Sequence, residues 1–143
     1  MSNSRFPGRL VGNMLTVAMR TKPVPKKYLC LVYFEAKSLA ALSPAERVVL
    51  DRDSLAYDLA LQKSGHFVAA EALQSPAQAR TVSVRRGQRS VTDGPFAETK
   101  EQLGGFILIQ ARNMREAVKL GAGIPLAKLG RIEVRPIYHI PVR

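Results

Sequence analysis

A chain of 143 residues, 46% of them hydrophobic, falls in the usual size range of one globular domain and can bury a core without disulfides or a structural metal. Its formal net charge of +11 invites a nucleic-acid reading, but residues 1–27 hold Arg5, Arg9, Arg20, Lys22, Lys26 and Lys27 and no acid, which leaves +5 for the rest. The apolar stretch from Leu15 to Met19 is too short for a signal-peptide core and nothing approaches a membrane span, so a cytoplasmic protein is expected.

Residues 1–27 read as a basic flexible arm, with Met14 and Met19 available as internal starts, and the Lys22-Pro23-Val24-Pro25-Lys26-Lys27 run as its linker. The domain is expected over residues 28–143. Tyr28 to Glu35 is apolar on both alternating faces, as a central strand covered on both sides must be. Within it, Cys30 reads as a small buried hydrophobe in a reducing compartment.

Ser43-Pro44-Ala45-Glu46 has the form of a helix start, with Ser as N-cap, Pro at the first helical position and Glu closing a capping box. Ala45, Val48, Val49, Leu55, Ala56 and Leu59 then recur at helical spacing and are expected to form the buried stripe, with Arg47, Asp51, Asp53 and Asp58 mostly outside it. Gly65 is placed to end this helix. A second strand is expected over His66 to Ala72. Arg80 to Arg86 and Arg89 to Thr92 form a hairpin about Arg86-Gly87, with Val82 and Val84 facing in and Thr81, Ser83 and Arg85 facing out. Gly105 to Ala111 is a further strand, Asn113 and Glu116 open a second helix to about Leu120, and Ile132, Val134 and Ile137 mark a closing strand.

This order is that of a split βαβ unit. The expected fold is α+β, a ferredoxin-like sandwich of the dimeric alpha-beta barrel type, with two helices on one face of an antiparallel sheet. Because Tyr28–Glu35 and Gly105–Ala111 are apolar on both faces, a second copy packed on the bare sheet face, a homodimer, is the simplest cover.

The most informative stretch runs from Val91 to Phe106. Asp93 can shape a turn, Gly94 admits unusual dihedrals, Pro95 fixes the next step, and Phe96 is expected to anchor the loop in the core. Glu98, Thr99, Lys100 and Glu101 follow in an expected helical turn, and Gly104-Gly105 lets a backbone pass closely, either past a ligand or past a neighbouring strand. The run Asp93-Gly94-Pro95-Phe96, then Glu98-Thr99-Lys100-Glu101, then Gly104-Gly105-Phe106 resembles the signature of the DGPF, or YCII-related, family. The likeness extends to Tyr28–Glu35, Leu42-Ser43-Pro44, Glu71-Ala72-Leu73 and Glu133-Val134-Arg135-Pro136, and covers about residues 28 to 138.

The resemblance implies a cleft bordered by the 93–101 loop and, in the wider superfamily, a histidine–aspartate acid–base pair whose histidine comes from the first helix. Here Asp53-Ser54-Leu55 stands where that helix often carries histidine, so the pair would have to be Asp93 with His66, or less readily with His139. Asp93 and His66 are therefore the candidate catalytic residues. Glu98, Thr99, Lys100 and Arg85 are the candidate ligand-binding residues, and Arg85, Arg86 and Lys100 could hold an anionic group. The two histidines and one cysteine give no metal-ligand pair on one element, and no phosphate loop, dinucleotide fingerprint or nucleophile elbow occurs, so no cofactor is expected.

The leading functional reading is a small-molecule-binding protein or enzyme with its site at this loop. The alternative, implied by the resemblance alone, is a regulatory interaction protein associated with an alternative sigma factor in transcription initiation. Direct nucleic-acid binding is the least favoured, because no recognition-helix pattern accompanies the basic arm.

Overall fold

The computed structural model describes residues 25–142, so what was read into residues 1–24 lies outside the described residues. The chain runs β1 (Lys26–Phe34), α1 (Ala36–Ala40), α2 (Pro44–Lys63), β2 (Phe67–Ala72), a 3-10 turn at Pro76–Gln78, β3 (Arg80–Arg85) and β4 (Gln88–Asp93). It continues through β5 (Gln102–Ala111), α3 (Met114–Ala122), a 3-10 turn at Pro125–Lys128 and β6 (Arg131–Pro136).

β1 and β5 form the centre of a four-stranded sheet in the order β2-β5-β1-β6, every neighbouring pair antiparallel. Alternation along β1 sends Tyr28, Cys30 and Val32 to one face, where they meet Ile107, Ile109 and Ala111 of β5 and Leu61, Ala117 and Ile124 from the helical side in a single buried core. Both long helices start where their capping residues dictate. The Ser43 hydroxyl accepts the Glu46 amide while Glu46 accepts the Ser43 amide, and Asn113 Oδ1 accepts the Glu116 amide.

Four expectations need correction. Among the described residues the sheet is open and closes into no barrel, so the dimeric alpha-beta barrel type does not hold. Four strands are too few to curl until β2 and β6 could pair edge to edge. Among the described residues there are two sheets and three helices where one sheet and two helices were expected, because β3 and β4 pair only with each other as a separate ribbon.

α2 is rotated relative to its apolar stripe. Leu61 is its buried residue, and Tyr57 packs against the core with its hydroxyl donating to Leu120 O at 2.6 Å. Residues three and four apart share a helix face, so fixing these two inward carries Ser54, Leu50 and Arg47 inward as well. Val48 and Leu59 are left outside, Val48 with 65% of its surface exposed.

The ribbon is inverted in the same sense. Thr81 and Ser83 are half-buried, Thr81 donating to Gly94 O at 2.8 Å, while Val82, Val84 and Val91 face solvent. The tip turns through Arg86 (φ 52°) and Gly87 (φ 74°), the pair of positive dihedrals that a two-residue hairpin turn of right-handed twist demands.

Gly105 is buried where β5 passes β2, and a Cβ there would lie 2.8 Å from Glu71 O and 3.3 Å from Ala72 Cα. Both are backbone atoms that cannot step aside, so of the two roles open to Gly104-Gly105 the close strand approach is the one seen at Gly105. Replacing Gly105→Ala is expected to cost about 1–3 kcal/mol of stability, read as a lowered urea midpoint with an unchanged slope; an unchanged midpoint would show that the strands can part freely.

Candidate functional site

The loop that carries the resemblance lies at the surface. Asp93 closes β4 opposite Arg80, with which it pairs at 3.1 Å, and 87% of its side chain is open to solvent. Gly94 (φ 88°) donates to Ala79 O at 2.8 Å, so the Asp-Gly turn is tied to the start of β3. Phe96 is not a core anchor: it is 90% exposed. Residues 98–101 form no helical turn: Glu98 and Thr99 are irregular and the chain bends at Lys100 and Glu101. Gln102 takes the organising role instead, its side-chain amide donating to Ala97 O and Thr99 O, both at 3.0 Å. Thr99 donates to Glu101 O at 2.6 Å, Glu101 pairs with Arg131 at 3.5 Å, and Glu98 and Lys100 are exposed. Arg85 stands at the hairpin tip and bonds the carbonyl of Val84.

His66 sits at the other end of β5. Its Nδ1 lies 2.9 Å from Gln110 O, an atom that can only accept, which places the proton on Nδ1. Gln110 and Gln102 are separated along β5 by roughly 26 Å, so His66 and the loop with Asp93 are not brought together within one chain. His139 is exposed beyond β6.

A cavity of about 600 Å³ opens instead between α2 and the sheet. Its floor includes Val32, Ala70 and Ile107, and Phe34, Leu50 and Leu126 contribute to its apolar walls. Across from the floor, α2 supplies Arg47, Asp51, Ser54 and Asp58, spaced so that all four share one side of the helix. Arg47 and Asp51 pair at 3.6 Å. Among the described residues Asp58 has neither an ion-pair nor a hydrogen-bond partner, and its partial burial raises its carboxyl above the ordinary value. Gly104 and Gly105, which follow the 93–101 loop, line the same cavity, but none of Asp93, Glu98, Thr99, Lys100, Arg85 or His66 does. No group of three or more His, Cys, Asp or Glu side chains among the described residues is placed to hold a metal ion.

Sequence reasoning missed Ser54 and Asp58 because it set this face of α2 against solvent. The Arg47, Asp51, Ser54, Asp58 stripe was a visible signal, since its i, i+4, i+7, i+11 spacing is as regular as that of the apolar stripe beside it.

With the site's geometry in place, the comparisons agree with the resemblance. The YCII-related domain model matches residues 26–141, and the chain belongs to that family. It is similar to an uncharacterized protein of Rhizobium meliloti (strain 1021), 34% identical over 112 residues that make up 77% of this chain and 90% of the relative. Neither match supports the association with a sigma factor, and no feature of the described residues points to it. No helix among the described residues is long and apolar enough to cross a membrane.

Cys30 is fully buried, and desolvation pushes its thiol from an ordinary 9.0 up to about 11, so it offers no thiolate nucleophile at neutral pH. A thiol whose folded-state value is raised favours the fold fully below the unfolded value. Stability is therefore expected to fall as pH rises from about 9 through about 11, and the Cys30→Ala variant should lose that part of the alkaline decline. An aromatic disulfide reagent at pH 8 should label Cys30 only on unfolding; rapid labelling of the folded protein would contradict the burial.

Proposed function

We propose that this YCII-related protein binds a small molecule in the cavity between α2 and the sheet, which β5 borders at Gly104, three residues after the 93–101 loop. The observation that carries the reading is the volume together with its lining. About 600 Å³, apolar on the sheet side and polar along one helix, matches what small-ligand sites generally offer. Asp93, Glu98, Thr99 and Lys100 then act on the site only by shaping the approach of the chain to Gly104, and His66 belongs to the other end of the sheet.

The test is amide chemical-shift mapping against a fragment set. Binding should perturb Ser54, Asp58, Ala70, Ile107 and Leu126 together, and Asp93→Ala should leave affinity within about twofold, as expected for an exposed pair of small energetic weight. Fragments that perturb residues 93–101 and lose binding in Asp93→Ala would move the site to the loop.

The second sheet face supports a homodimer. Leu29 and Leu31 of β1 lie beside Leu108 and Phe106 of β5, each partly open to solvent, while α2 and α3 pack on the opposite side. Sedimentation should give a dimer for the wild type and a monomer for Leu31→Arg; a wild-type monomer at tens of micromolar would contradict it.

A further inference from the structure

We infer that the cavity takes a ligand with an apolar body and a cationic, hydrogen-bond-donating head, of the primary-amine class, with Asp58 as the group that receives the head. This rests on the cavity being the site and adds the chemical class of what fills it.

The charge arrangement on α2 decides the sign. Arg47 and Asp51 form an exposed pair one helical turn apart at 3.6 Å, so the one cation lining the cavity among the described residues already has a carboxylate beside it. That leaves Asp58, which is partly buried, faces the cavity and has no partner among the described residues. A carboxylate whose burial costs it hydration gains most from a cation, and an anion placed beside it would meet like charge in a partly dry space. Ser54, one turn earlier on the same face, has no hydroxyl partner among the described residues and can accept from the same head. Tyr57 is not a competitor, because its hydroxyl is committed to Leu120 O at 2.6 Å, and the Glu71 side chain is not either. Glu71 is paired with Phe106, whereas its neighbour Ala70 is paired with the buried Ile107, so alternation turns the Glu71 side chain to the opposite sheet face.

The remaining lining is apolar. Val32, Ala70 and Ile107 below and Leu50 and Leu126 beside them offer a methylene chain nothing to hydrogen-bond and much to cover. The anionic ligand suggested by Arg85, Arg86 and Lys100 has no counterpart here, since none of the three lines the cavity.

The experiment titrates the full chain with hexylamine, hexanoate and hexanol, three probes with one apolar body and three heads, and follows amide shifts in the wild type and in Asp58→Asn. Hexylammonium should perturb the cavity residues most strongly. Asp58→Asn, whose well-dispersed spectrum verifies folding, should weaken the amine about tenfold and leave hexanol unchanged. Hexanoate binding more tightly than hexylamine, or Asp58→Asn leaving the amine unaffected, would overturn the class of ligand while keeping the site. Absence of cavity shifts with all three probes and with the fragment set would overturn the site and this inference together.

Discussion

The attachment of α2 at its C-terminal half decides what the rest of the molecule can do. Leu61 is buried in the core, the Tyr57 hydroxyl bonds the carbonyl of Leu120, and the His66 amide closes the helix end onto Leu61 O at 2.9 Å. Among the described residues the N-terminal half has no comparable anchor. Held by its capping box, it carries Arg47, Leu50, Asp51 and Ser54 over the sheet as the lining of a cavity. Sealing that space would require large apolar side chains at positions where the helix has a charged pair and a hydroxyl. The same rotation leaves Val48 and Leu59 facing solvent, an apolar cost the fold accepts on the outside of the helix.

The sheet below is the rigid counterpart. β1 and β5 pair end to end with one irregularity at Gly104, and their alternation puts small or β-branched residues under the cavity, with Gly105 allowing β2 to lie close. Without a Cβ at that point β5 neither pushes β2 away nor fills the floor, so one glycine serves both strand packing and the open volume. In the sequence, Gly104-Gly105 stood out after the loop for its permissiveness, and close strand packing is the use to which Gly105 is put.

Local patterns were legible where local forces decide. The central strand follows from its apolar residues on both alternating faces, and both helix caps, the glycine ending α2 and the hairpin at Arg86-Gly87 follow from side-chain bonds or dihedral limits within a few residues. Orientation was not legible. For α2 the longest apolar stripe suggested the inner face, but two contacts distant in sequence, Tyr57 to Leu120 and Leu61 to the core, set the rotation. For the ribbon, alternation pointed Val82 and Val84 inward, but the Thr81 bond to Gly94 O turns the hydroxyl face inward. The barrel was expected from the kind of fold the order of elements suggested, and the open strand order overrules it. The candidate site followed the same logic: the 93–101 loop was conspicuous in sequence because it is dense in turn-forming residues, while the cavity depends on which way a helix faces.

The most direct measurement is the reactivity of a thiol placed at the cavity face of α2, with Cys30 as an internal standard for a buried one. In Ser54→Cys the new thiol should react with a small methanethiosulfonate at a rate near that of an exposed cysteine, while Cys30 in the same folded molecule stays unmodified. If the introduced thiol proved as inert as Cys30 in a protein with a native spectrum, α2 would lie closed on the sheet, and the cavity on which the account depends would not exist.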